Sequence, residues 1–276
     1  MRRLNAMWRL SAGLCLGLLI STASAAPQRI VSLNLCTDQI LLQLVERERI
    51  VALSFLSQDP FSMAMHDAAR GLPTARGNAE EVLALAPDLV LVGTYTTRHT
   101  TALLRRFGIP VLAVPGARSF DEVAHEIRIV AEAVGEQARG EQVIDAFETR
   151  LAQLKATHHE PRPVTTQFVS GGYSAGSGTL YDDIFSAAGH LNGAARSGLA
   201  GYGPLPLEKL VEHGPANLVG SDRRQGGPTL GNRLLRHPAI AGMGARELVL
   251  PARQTICGGP WNLDAAEQLR VRGARP

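Results

Sequence analysis

Glu80-Glu-Val-Leu-Ala-Leu-Ala-Pro87-Asp-Leu-Val-Leu-Val92 and Glu208-Lys-Leu-Val-Glu-His-Gly-Pro215-Ala-Asn-Leu-Val219 follow one pattern. In each, an acid stands seven residues before a proline, the proline halts a short helix, and an apolar β-run follows. Acid, helix, proline, strand is also common α/β syntax, so the repeat has to be weighed with its surroundings. Upstream, Arg29 to Leu33 and Arg49 to Leu53 read as buried strands and Asp38 to Val45 has the apolar spacing of a helix. Downstream, Asp88 to Val92 is a strand, Thr100 to Phe107 a helix and Pro110 to Val114 a strand. Strand, helix, strand at this pitch means an α/β layer with a largely parallel sheet.

The longest helical stretch runs from Ser119, an N-cap in Ser-Phe-Asp-Glu122, to about His158. Gly135 and Gly140 are expected to divide it, leaving a helix over Glu141 to Lys155 that Glu160-Pro-Arg-Pro163 then stops. A strand at Val164 to Val169, a glycine-rich run at Gly171 to Gly178 and a second α/β series ending in an Asn262 to Leu269 helix complete the chain. Two similar α/β lobes joined by one long helix is the economical reading. The expected divisions are 1–25 as a signal peptide, 26–135 as an N-terminal lobe, 136–159 as a bridging helix and 160–276 as a C-terminal lobe.

The signal peptide has three parts. Arg2, Arg3 and Arg9 form a positive region, Leu10 to Ile20 an apolar core of eleven residues and Ala23-Ser-Ala25 a small-x-small cleavage site. Eleven residues are too few to span a bilayer, which argues against a retained anchor. Cys15 lies inside the apolar core without the leucine a lipobox would place three residues earlier, so a soluble periplasmic protein is expected rather than a lipoprotein. Cleavage removes three of the 28 basic residues and none of the 25 acids, leaving 251 residues with no formal net charge. The basic pI of about 9.0 therefore belongs to the targeting segment, and the main argument for a nucleic-acid partner goes with it.

Gly172-Tyr-Ser174-Ala-Gly176 satisfies the form of a nucleophile elbow after a strand and motivates one alternative, a secreted serine hydrolase using Ser174. In such an elbow a helix starts at the serine. Here Gly176-Ser-Gly178 delays any helix to about Thr179, and none of His190, His213 and His237 is marked as a base by its neighbours. A polar loop touching a ligand is the preferred reading. The eight histidines show no H-E-x-x-H spacing, and neither a phosphate loop nor a dinucleotide fingerprint is present, so no resident metal or cofactor is expected. Cys36 and Cys257 are the cysteines of the mature chain, and each follows an expected strand. Export favours a disulfide. Thiols on opposite walls of a cleft would instead stay apart, and the sequence leaves both open.

Taken together, the residues resemble the periplasmic binding proteins of ABC importers for metal chelates, which carry vitamin B12, ferric siderophores or haem. The likeness covers Arg29-Ile-Val-Ser-Leu33, Arg76-Gly-Asn-Ala-Glu80 through Val90, Phe107-Gly-Ile-Pro-Val111, the long helix and Cys257-Gly-Gly-Pro-Trp261. It implies two Rossmann-like lobes, a rigid connecting helix, a ligand cleft between the lobes, and no catalysis. It also implies that Glu80 and Glu208 dock onto arginines of the two permease subunits; as helix N-terminal acids they suit the macrodipole in any case. The implied ligand-binding set is Asn34, Cys36, Thr37, Phe55, Arg76, Tyr95, Tyr173, Arg223, Cys257 and Trp261. Where vitamin B12 binders place aromatics around the corrin, this sequence has Phe55, Ala75 and Gly93, so one of three survives. Arg76, Arg98 and Arg223 are placed to clamp an anionic siderophore or haem propionates. The resemblance places Trp261 in the second lobe's cleft wall as an aromatic face for the ligand, while a core anchor for the terminal helix is the other reading, and the sequence leaves both open.

Overall fold

The computed structural model describes residues 25–94, 98–158, 160–221 and 230–273. The signal peptide reading lies outside these residues apart from Ala25, as do Tyr95 and Arg223. The first lobe runs β1 (Ile30–Ser32), α1 (Leu35–Leu44), β2 (Ile50–Ser54), α2 (His66–Ala69), β3 (Thr74–Ala75), α3 (Ala79–Ala84), β4 (Leu89–Gly93), α4 (Arg98–Arg106), β5 (Val111–Val114) and α5 (Phe120–Val134). Its five strands pair in parallel in the order β3-β2-β1-β4-β5. Successive residues of a strand face opposite sides of a sheet, and in β1 and β4 both sides are apolar. Ile30, Leu89 and Leu91 enter a core beneath the sheet, while Val31, Val90 and Val92 enter a second cluster above it with Val82 and Leu104.

α6 (Gln137–Ala156) follows. α5 ends at Gly135, whose φ of 75° is the left-handed conformation that glycine takes without penalty. Gly140, expected as a second break, is instead inside α6. A Cβ there would lie 2.6 Å from the Cβ of Ala131, so this glycine allows α5 and α6 to pack closely without interrupting the helix. α6 packs against α1 and α5 of the first lobe and against helices α7 (Leu180–Ala187) and α12 (Trp261–Gly273) of the second.

Between them the second lobe runs β6 (Val164–Gln167), β7 (Tyr173–Ala175), α7, β8 (Leu191–Asn192), α8 (Gly193–Arg196), β9 (Tyr202–Pro204), α9 (Leu207–His213), β10 (Asn217–Ser221), α10 (Leu230–Leu234), α11 (Pro238–Gly242), β11 (Arg246–Leu250) and then α12. Four strands pair in parallel as β11-β10-β6-β8, and β7 and β9 form a separate antiparallel ribbon. This sheet's interior is more polar. Thr165 Oγ1 meets His190 Nδ1 at 2.7 Å and accepts from Asn217 Nδ2 at 3.1 Å, all three residues being buried. Burial first, then the charge of Arg162, pushes the His190 imidazole down to about 4.

The core beneath the first sheet does not stop at the lobe boundary. Ile184 and Phe185 of α7, Val219 of β10 and Leu263 and Leu269 of α12 belong to the same cluster as Ile30 and Ile127. The two lobes are therefore welded by shared apolar packing as well as by α6.

Both copies of the acid–proline repeat take one local form. In each the residue directly before the proline has positive φ, Ala86 at 45° one residue beyond the Leu85 cap of α3 and Gly214 at 50° as the cap of α9 itself, and each chain then enters a parallel strand. Ala86 is the one non-glycine with positive φ among the described residues. Arg29 holds this turn by donating to the carbonyls of Leu85 and Ala86.

Candidate functional site

Cys36 and Cys257 form a disulfide with their Cα atoms 5.2 Å apart, which decides between the two readings of these cysteines. Cys36 lies in the first turn of α1, just past the carboxyl end of β1, and Cys257 follows the carboxyl end of β11. The bond therefore brings the carboxyl edges of both sheets together. In parallel α/β sheets this edge is where ligands bind. Further ties sit beside it. The Phe120 N–H donates to Asp183 Oδ2 at 2.7 Å, and a Cβ on Gly258 would lie 2.4 Å from the Val123 side chain, so the segment after Cys257 is seated on α5 of the first lobe.

The residues around the disulfide are occupied with structure. Asn34 Oδ1 caps α1, accepting from the Cys36 and Thr37 amides at 2.9 and 3.4 Å. The Thr37 hydroxyl, buried, meets Ser32 Oγ at 2.7 Å and donates to the Asn34 carbonyl at 3.0 Å. Asp38 is also buried and accepts from the Ser54 amide and hydroxyl, fastening α1 to the end of β2; burial pushes its carboxyl up to about 7 despite these bonds. Of the two readings of Trp261, the structure shows the core anchor. The residue is 7% exposed, its Nε1–H donates to the Cys257 carbonyl at 2.8 Å, and its ring lies where a Cβ on Gly259 would be. The Cys-Gly-Gly-Pro segment makes room for the tryptophan, and the tryptophan anchors α12.

The exposed aromatics lie farther out. Phe55 follows the carboxyl end of β2 and is 54% exposed, and Phe61 stands a few residues beyond. On the second lobe Tyr173 and Tyr202 share one face of the β7–β9 ribbon, with Ser174 and Gly203 on the other. Burial and the neighbouring Tyr181 push the Tyr202 phenol up to about 12, although half of the residue's surface stays open. Tyr181 in turn donates to Thr255 at 3.2 Å, two residues before Cys257. Arg76 is exposed past β3, its N–H donating to Glu81 Oε2 at 2.8 Å. Phe61 and Tyr202 escaped the sequence reading because exposure of an isolated aromatic is a tertiary property. The available signal for Tyr202 was Gly201-Tyr-Gly-Pro204, a glycine-flanked tyrosine like Tyr173.

Ser174 is buried on the inner face of the ribbon and its hydroxyl donates to the Gln167 carbonyl. The helix after it starts only at Leu180, capped by Thr179. A nucleophile elbow needs an exposed serine at a helix start, and this geometry provides neither. Glu80 and Glu208 are exposed, each the second residue of its helix.

Residues 30–247 match the model of the family described as periplasmic binding protein. The chain belongs to this family. Its members are binding proteins. A cobalamin-binding protein of Halobacterium salinarum is 27% identical over 202 residues, covering 72% of this chain and 55% of that protein. The chain thus matches only about half the length of that relative. An uncharacterized ABC transporter substrate-binding lipoprotein of Bacillus subtilis, YvrC, is 24% identical over 211 residues, covering 73% of this chain and 66% of that protein. Among solved structures, the periplasmic heme-binding protein RhuT of Roseiflexus sp. RS-1 in its apo form superimposes with a TM-score of 0.72 at 27% identity, covering 89% of this chain and 97% of that one.

Proposed function

We propose that this protein captures a metal chelate, a corrinoid, haem or ferric siderophore, in the periplasm and delivers it to an ABC permease. The observation that supports the reading is the disulfide joining the carboxyl edges of the two sheets, with exposed aromatics after β2 in one lobe and on the β7–β9 ribbon in the other. Phe55 and Phe61 would meet one face of a flat macrocycle or a catecholate ring, and Tyr173 and Tyr202 the other. Arg76, and Arg223 outside the described residues, would pair with anionic groups at the rim. Asn34, Cys36, Thr37, Cys257 and Trp261 would form the floor on which the crevice is built. The lobes would be 26–135 and 160–276, bridged by 136–159, after removal of 1–25 on export. A disulfide suits that oxidising compartment.

Glu80 and Glu208 would each meet one permease subunit. Two like lobes facing a two-fold partner should each offer one acid, and both acids stand at the same place in the same local motif. The test has two arms. Titration calorimetry with cobalamin, haem and a panel of ferric siderophores is expected to give saturable binding with one class, weakened by Phe55→Ala and Tyr202→Ala. Glu80→Ala with Glu208→Ala is expected to abolish uptake in cells while leaving that affinity unchanged. A protein that binds no chelate, or a double variant that transports normally, would refute the corresponding half.

A further inference from the structure

The first lobe holds a cavity that the crevice leaves unexplained. It lies at the free edge of the first sheet, where β5 has no outer neighbour, and has a volume of about 500 Å3. Thr94 after β4 and Pro115 and Gly116 after β5, all at the carboxyl ends of their strands, form one wall, and Arg118 with Glu122, His125 and Glu126 of α5 forms the other. Glu126 is 3% exposed, and its Oε1 is shielded from solvent without any hydrogen-bond partner. Glu122, one turn earlier on the same helix face, is fully engaged: it accepts from the Arg118 amide at 2.7 Å and from its guanidinium at 3.1 Å. A buried, unpartnered carboxyl at a cavity wall is destabilising unless something else uses it.

Its electrical surroundings say what would. Burial and, second, the Glu122 carboxylate push the Glu126 carboxyl up to about 8. The negative field that raises it disfavours an anionic guest and favours a cationic one. An ionised carboxylate is stable in such a place only when paired with a cation that also donates hydrogen bonds. Arg118, Glu122 and His125 are the other titratable groups lining the cavity, and the wall from the sheet edge adds none among the described residues.

We propose that this cavity binds a small organic cation through an alkylammonium or guanidinium group whose N–H donors pair with the Glu126 carboxylate. At neutral pH the guest displaces the carboxyl proton to solvent, so one proton is released for each cation bound. The site shares none of the residues assigned to the crevice, although it opens on the same carboxyl edge of the first sheet, and its test uses no chelate.

Purified protein carrying 13C in its glutamate carboxyl groups is titrated with n-butylammonium and with ethylguanidinium, and with n-butanol and butyrate as controls. The expected result is a saturable shift of the Glu126 carboxyl signal to the ionised position with either cation, and none with the controls. Glu126→Gln should weaken binding at least about tenfold by removing the charge. Glu126→Leu, which leaves no polar group to satisfy, is the second variant should the glutamine protein fail to fold. No response to either cation, equal binding of butanol or butyrate, saturation by Ca2+ in place of the amines, or unchanged affinity in a folded variant would overturn the assignment.

Discussion

In the first lobe β1, β2, β4 and β5 read IVS, IVALS, LVLVG and VLAV, whereas in the second β6 reads VTTQ and β10 NLVGS. The same parallel α/β plan is thus filled in two ways. β1 and β4 at the centre of the first sheet are covered on both faces by apolar side chains, a non-directional stabilisation that tolerates small displacements. The second relies more on buried hydroxyl, amide and imidazole groups that must find one another, as Thr165, His190 and Asn217 do. Polar interiors of that kind specify geometry, and they lose more on truncation than the bonds contribute, because a desolvated partner is left behind.

The disulfide offers the largest way to break the comparison. It closes a segment of 221 residues, and on the loop-closure model its removal by Cys36→Ser with Cys257→Ser costs about 5 kcal/mol. Calorimetry is expected to show one transition in the parent and a split one in the variant, the second lobe melting first. A single, barely shifted transition would mean that the shared core alone couples the lobes.

Asparagine caps give a smaller and more selective contrast. Asn34 caps α1 and its side chain does nothing else visible, so Asn34→Ala should cost about 1 kcal/mol. Asn192 caps α8 in the same manner but also donates from Nδ2 to the Ala175 carbonyl at 3.0 Å and to Asp182 at 3.1 Å. Asn192→Ala should therefore cost about 3 kcal/mol, since those acceptors lose their donor. Urea denaturation of the pair checks the ratio, and equal costs would erase the distinction drawn between the lobes.

One buried group in each lobe responds to acidity with opposite sign. His190 titrates near 4 in the fold and near 6.5 when free, so between those values the unfolded chain binds a proton that the folded lobe refuses. The second lobe keeps its full stability above pH 6.5 and loses roughly 2 to 3 kcal/mol as pH falls through 4. Asp38 in the first lobe runs the other way: raised from 3.8 to about 7, it favours the fold at low pH and loses that advantage as pH rises through 7. Denaturant midpoints across pH 4 to 8 should show His190→Gln flattening the acid limb alone.

The smallest effect concerns the repeated turn. Ala86→Gly should stabilise by about 0.5 to 1 kcal/mol and Gly214→Ala should destabilise by about 1, because both positions hold positive φ and only glycine does so freely. Thermal melts of the two variants shifting in the same direction would show that the turns are not equivalent.

These contrasts also explain what could be read from the chain. The strands of the first lobe were legible because a strand buried on both faces is an unbroken apolar run, and the acid–proline repeat marked the same turn in both lobes. Gly140 was misread as a break because a close helix contact and a helix end both call for glycine. Trp261 was left between two readings because Cys-Gly-Gly-Pro suits a backbone near a ligand and a backbone near an indole equally well; the choice rests on packing. The pairing of Cys36 with Cys257 needed the same information. Glu126 looked like any helical glutamate, and its isolation becomes visible only when the sheet edge is in place.

The disulfide has a topological consequence. The bond closes residues 36–257 into one covalent ring that takes in α6 and most of both sheets. A single protease nick anywhere inside the ring converts it into one open molecule and not into two fragments. The ring can close only once Cys257 is available to Cys36, so the joint between the two sheets is set late, when the strands of both are already present to be joined.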